Sequence, residues 1–172
     1  KADLYLFAPD ELNDGSMQTG GDIKVELSDG VFTFGFGSSG IAYGSRNKIR
    51  KWKNAYYING LKLEADKEYG YGVVWEDEDI YRVVDTRGNV VSGQKKVVRD
   101  RDGGWLIILN GRFAARTDDS SKPKWHNGEE GEGFYHYDGS DKDDKYSGGL
   151  IAGYDSEPVL DQLPAGERLN FE

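Results

Sequence analysis

Alternation of apolar and polar positions runs through much of the chain. In residues 22–27, Ile23, Val25 and Leu27 interleave with Asp22, Lys24 and Glu26. A period of two predicts an antiparallel strand with one face buried. After Ser28-Asp29-Gly30, residues 31–36 continue with Phe32, Phe34 and Phe36 on one side. The two runs predict a hairpin closed by a three-residue, glycine-containing loop. Residues 46–58 begin basic and end apolar: Ile49 and Trp52 fit a helical face, and Trp52, Tyr56 and Ile58 fit a strand equally well. Asn59-Gly60 is a turn signal, and Leu61 and Leu63 then alternate with Lys62 and Glu64.

Further strands are predicted at 69–75 and 80–84, with a turn at 86–89 and a Ser-Gly bend between Val90-Val91 and Val97-Val98. Trp105-Leu-Ile-Ile-Leu109 is the most apolar run and lies between glycine-rich breaks, which predicts a central strand buried on both faces. Residues 112–115 extend the sheet beyond Asn110-Gly111. Residues 117–149 are polar and glycine-rich, which predicts a long surface excursion carrying one short hairpin around 133–137. Turn signals recur every 8–12 residues, the spacing of an all-β, jelly-roll-like antiparallel sandwich.

The N-terminal segment breaks the alternation. Leu4, Tyr5, Leu6 and Phe7 are apolar on both faces of a strand over 3–8 that Pro9 ends. Such a segment demands burial on two sides, either as a central strand of its own sheet or as a strand donated to a neighbouring subunit. The polar residues 10–21 behind it have the composition of a linker. The organisation that follows is a donor strand over 1–9, a linker over 10–21 and a β-sandwich over 22–172.

Composition narrows the function classes. A net charge of -9 argues against nucleic acid, whose phosphates need clustered lysine and arginine. No apolar run reaches the ~20 residues of a membrane helix, so membrane insertion is not expected. The absence of cysteine removes disulfides, thiol catalysis and zinc–thiolate sites. A start at Lys1 fits a mature extracellular or cell-surface form whose signal peptide has been removed; a trimmed chain is the alternative.

Catalysis finds little support. The two histidines, His126 and His136, sit among aromatic and polar residues, and no serine lies in a Gly-x-Ser-x-Gly elbow. Glu76-Asp77-Glu78-Asp79 could supply the paired carboxylates of a glycoside hydrolase, but its position between two strands fits a solvated turn better. The expectation is a non-enzyme that needs no cofactor. Calcium is the one candidate ion. Asp138, Asp141, Asp143 and Asp144 crowd one loop with hard oxygen ligands, although the spacing is not that of an EF-hand. Trp125, Tyr135 and Tyr137, with Tyr146, lie in polar surroundings and are candidates for stacking on a polysaccharide; cross-strand packing is the alternative role.

Several short patterns together resemble the extracellular filament subunits of the TasA and camelysin-like type, which include archaeal bundling-pilus subunits. They are the apolar Asp3-Leu-Tyr-Leu6 start, the Gly20-Gly-Asp-Ile-Lys-Val-Glu-Leu27 strand after a polar linker, and Gly40-Ile-Ala-Tyr-Gly-Ser45. Tyr57-Ile-Asn-Gly60 and Leu163-Pro-Ala-Gly-Glu167 complete the set. The large 117–149 excursion departs from that family's pattern. The resemblance implies secretion, a jelly-roll-like sandwich and a homopolymer built head to tail by exchange of the N-terminal strand, with Leu4, Tyr5, Leu6 and Phe7 as the intersubunit residues. A carbohydrate-binding β-sandwich module is the alternative.

Overall fold

The computed structural model describes residues 20–28, 30–44, 49–77, 80–139, 146 and 148–151. The donor strand expected over 1–9, nearly all of the linker and the Leu163–Glu167 pattern lie outside these residues. The described chain is all-β, in several antiparallel sheets, with one 3₁₀ turn at Arg101–Gly103. The strands are β1 (Gly21–Leu27), β2 (Gly30–Phe36), β3 (Arg50–Trp52), β4 (Ala55–Ile58), β5 (Leu61–Lys62) and β6 (Tyr71–Asp77). They continue as β7 (Ile80–Asp85), β8 (Lys95–Arg99), β9 (Trp105–Leu109), β10 (Arg112–Thr117), β11 (Lys124–Gly128) and β12 (Gly131–Tyr135).

The first sheet has the order β1-β2-β5-β4-β3, which leaves β1 and β3 as its edges among the described residues. The β1–β2 hairpin pairs down to Leu27 and Gly30, so its loop is one residue tighter than the sequence suggested. The ambiguous basic stretch forms a hairpin, not a helix: Trp52 pairs with Ala55, and Lys53 takes a positive φ in the turn between them. Asn59-Gly60 and Asn110-Gly111 both place two successive residues at positive φ, with values of 48° and 83° in the first and 51° and 77° in the second. That is the backbone of a two-residue hairpin turn whose twist matches the flanking strands.

The core follows the chain in order. Tyr56 and Leu63 of the first sheet pack with Val74 and Val84 of the β6–β7 ribbon. The other face of the ribbon, Val73 and Val83, packs with Val98, Leu106, Ile108 and Phe113 of the second sheet, whose order is β10-β9-β8. Ile107 points the other way, into Ala114, Ala115, Phe134 and Ile151. β9 is therefore the central strand buried on both faces that its apolarity predicts, and Leu106, Ile107 and Ile108 are all fully buried.

The stretch read as a polar excursion is only partly one. β10 runs to Thr117, and β11 and β12 form a hairpin over 124–135, earlier than the 133–137 expected. Trp125 and Phe134 give this hairpin an apolar face that lies on the second sheet. Residues 149–151 run beside β12, with hydrogen bonds from the His136 N–H to the Gly149 carbonyl and from the Ile151 N–H to the Phe134 carbonyl.

Candidate functional site

Two places have the form of a site. The first is the outer face of the β11–β12 hairpin. Register puts Lys124, His126 and Gly128 opposite Tyr135, Gly133 and Gly131, on the face turned away from Trp125 and Phe134. The glycines leave this face bare, and aromatic rings occupy it. The Tyr135 hydroxyl donates to the Gly131 carbonyl at 2.6 Å, which lays the ring across the end of the hairpin. A Cβ at Gly128 would meet the Tyr135 hydroxyl oxygen at 2.8 Å, so this crossing requires glycine. His126 stands edge-on to Tyr135, with centroids 5.3 Å apart, and stacks on Tyr146 at 4.0 Å with only 9° between the planes. Tyr137 meets Tyr146 edge-on at 6.3 Å. A cleft of about 620 Å³ opens beside these rings, and Glu129, Glu130 and Gly149 complete its wall.

The second place is the β1–β2 end of the first sheet. Ile23, Val25 and Phe32 are half-buried beside the buried Phe34, Phe36, Ala42 and Leu61. All seven belong to β1, β2, β5 or the neighbouring Ala42, and no described residue of another layer joins the cluster. The face lies along an edge strand.

The opposite face of the same sheet carries the buried Tyr43, Ala55 and Tyr57 with Trp52 against them, and polar contacts at the β1 side. The Tyr57 hydroxyl donates to Asp22 at 2.9 Å, and Lys62 lies 3.5 Å from the same carboxylate. Burial first, then the Asp22 hydrogen bond and charge, push the Tyr57 phenol well above its ordinary value. Tyr56, on the face turned to the ribbon, donates to Glu76, which also pairs with Arg82 at 2.9 Å. Arg82 in turn donates to the Gly111 carbonyl at 2.6 Å and so links the ribbon to the β9–β10 turn. Burial works against the Glu76 carboxylate, but Tyr56 and Arg82 outweigh it and hold its carboxyl below the usual range. The Glu76–Asp79 run is thus not uniformly a solvated turn: β6 continues to Asp77, and Glu76 is tied up in a structural network.

The residues singled out for sugar stacking do not share one surface. Trp125 lies on the inner face, edge-on to Phe134 at 5.1 Å, with Lys95 Nζ 4.1 Å from its ring centroid and its indole N–H donating to Glu132. Tyr135 is buried and lines the outer cleft, and Tyr137 is half-buried beside Tyr146. Of the loop carboxylates, Asp138 is exposed, and Asp141, Asp143 and Asp144 lie outside the described residues. Among the described residues no group of three or more His, Cys, Asp or Glu side chains is placed to hold a metal ion, and no helix is long and apolar enough to cross a membrane.

Sequence reasoning gave His126 no role and passed over Glu129 and Glu130. The signal was present in the glycine spacing: Gly128, Gly131 and Gly133 strip one face of a hairpin whose remaining side chains there include His126 and Tyr135. Comparison with family models, characterised proteins and solved structures yields no match.

Proposed function

We propose that the chain is a non-catalytic structural subunit of an extracellular fibre, joined head to tail through its apolar N-terminal strand. The observation that carries this reading is the half-buried apolar face of Ile23, Val25 and Phe32, which lies along the edge strand β1 with no described layer opposite it. Residues 2–8, in which Leu4, Tyr5, Leu6 and Phe7 are apolar on both faces, have the complementary character. A strand added at β1 would satisfy the backbone of that edge and set its own apolar side chains beside Ile23 and Val25, extending the apolar face. Taking the remaining exposed part of one such side chain out of water contributes roughly 1 kcal/mol before ordering costs. Because donor and acceptor are different surfaces, the contact does not close on itself and propagates as a filament.

The test is removal of residues 1–8 followed by electron microscopy and sedimentation. The intact chain is expected to form filaments and the shortened chain to remain monomeric. Filaments unchanged by the deletion, or an intact chain that is a monodisperse monomer, would reject strand donation.

A further inference from the structure

We propose that the cleft on the outer face of the β11–β12 hairpin binds an organic cation: a guanidinium or alkylammonium group of the kind carried by an arginine or lysine side chain. This site is separate from the β1–β2 face and does not rest on the assembly reading.

Three features of the cleft carry the assignment. Its wall combines the rings of Tyr135, Tyr146 and His126 with the carboxylates of Glu129 and Glu130. Aromatic rings attract cations through their quadrupole, and adjacent carboxylates add charge and hydrogen-bond acceptors. Glu129 and Glu130 are both exposed at the turn, so they face a ligand while still hydrated and are not consumed in a buried ion pair. No lysine or arginine is among the described residues that line the cleft.

The same pairing recurs inside the molecule. Arg50 lies 4.9 Å from the Tyr43 ring centroid, Lys53 4.5 Å from that of Trp52, and Arg99 4.2 Å from that of Trp105. The Lys95–Trp125 contact is the closest analogue, because Glu132 stands beside both the cation and the ring. The outer cleft offers aromatic rings and carboxylates together in a volume of about 620 Å³, which admits a guanidinium and its stem. The position of Tyr135 is fixed by Gly128 and by its bond to Gly131, so one wall is formed before a ligand arrives.

Isothermal titration of the full chain with arginine amide at low ionic strength tests the proposal. Saturable binding that weakens with added salt is expected. Glu129→Gln combined with Glu130→Gln should weaken it roughly tenfold, the equivalent of one lost charge-assisted contact. Both positions are exposed, and an unchanged thermal transition will show that the variant is folded. Glu26→Gln with Glu68→Gln, at exposed acids outside the cleft lining, should leave the affinity within twofold. The proposal is overturned by absence of saturable binding, by equal loss in the two double variants, or by a neutral saccharide such as cellobiose competing for the same site.

Discussion

A methyl group added at Gly35 has nowhere to go. It would meet the Tyr57 ring at 2.6 Å, the Tyr43 ring at 2.7 Å and the Asp22 carboxylate at 2.9 Å. The glycine exists so that Tyr57 can cross β2 and reach Asp22 on the edge strand. Both rings are buried, so neither yields cheaply. Gly35→Ala should destabilise by about 2–3 kcal/mol, read as a lowered urea midpoint with unchanged slope. Two half-buried glutamates give opposite pH signatures. The carboxyl of Glu76 sits below its unfolded value, so its contribution is complete above about pH 4.5 and fades as pH falls through the folded value. The stability gap between the native chain and Glu76→Gln should therefore be largest near neutrality and shrink towards pH 3. For Glu64, burial raises the carboxyl, against the opposing Thr33 hydrogen bond and Lys62 charge. Its favourable contribution is present below the unfolded value and lost as pH rises through the folded one. Glu64→Gln should then stabilise the fold at pH 7, with the gain vanishing near pH 4. Denaturation midpoints at three pH values decide both; a gap that does not move with pH would contradict either assignment.

At the scale of elements, legibility followed the strength of the local signal. β9 was readable to the residue because five apolar side chains stand between glycine breaks, and the two Asn-Gly pairs named their turns because only such residues accept two positive φ values in succession. The β3–β4 hairpin was not readable. Ile49 and Trp52 fit a helical face as well as Trp52, Tyr56 and Ile58 fit a strand, and the tie is broken by tertiary packing of Tyr43, Trp52 and Tyr57 into one aromatic cluster, with Trp52 opposite Ala55 and so on the Tyr57 face. The β11–β12 hairpin hid behind its polar composition, since one core-facing Phe-Trp pair is enough to anchor it and too little to show as periodicity. Of the outer cleft, the aromatic members were visible in sequence, but their grouping depends on register and on Tyr146 arriving from a distant position. Asp100 shows the same limit. It accepts the Arg101 N–H at the head of the 3₁₀ turn. It is also buried and pairs with Arg116 of β10 at 2.7 Å. Asp100→Ala should cost about 1–3 kcal/mol, because the turn loses its cap and a partly buried guanidinium loses its counter-charge. A circular-dichroism melt measures it, and a loss no larger than a few tenths would show that water replaces the carboxylate.

Across the whole molecule, the clusters follow one another in chain order, from the first sheet through the ribbon to the second sheet and the last hairpin. Each layer is buried by its neighbours in sequence, so stability is unevenly distributed. β9 contributes to two clusters through opposite faces, and its central amides should exchange slowest of all. The β1–β2 end has a cluster drawn from its own sheet alone, and its amides should exchange among the fastest of the paired strands in the isolated subunit. This asymmetry gives the assembly reading a second, independent test. If the face of Ile23, Val25 and Phe32 receives a strand, Phe32→Ser should leave the monomer folded, with its melting temperature lowered by no more than a few degrees, roughly the consequence of ~1 kcal/mol for a half-buried side chain. The same variant should abolish filaments, because the lost contact lies at the joint between subunits. In the intact polymer the β1 and β2 amides should become protected relative to the shortened chain, while those of β9 stay as they were. Protection that rises uniformly over all strands, or filaments that survive Phe32→Ser, would place the joint elsewhere on the molecule.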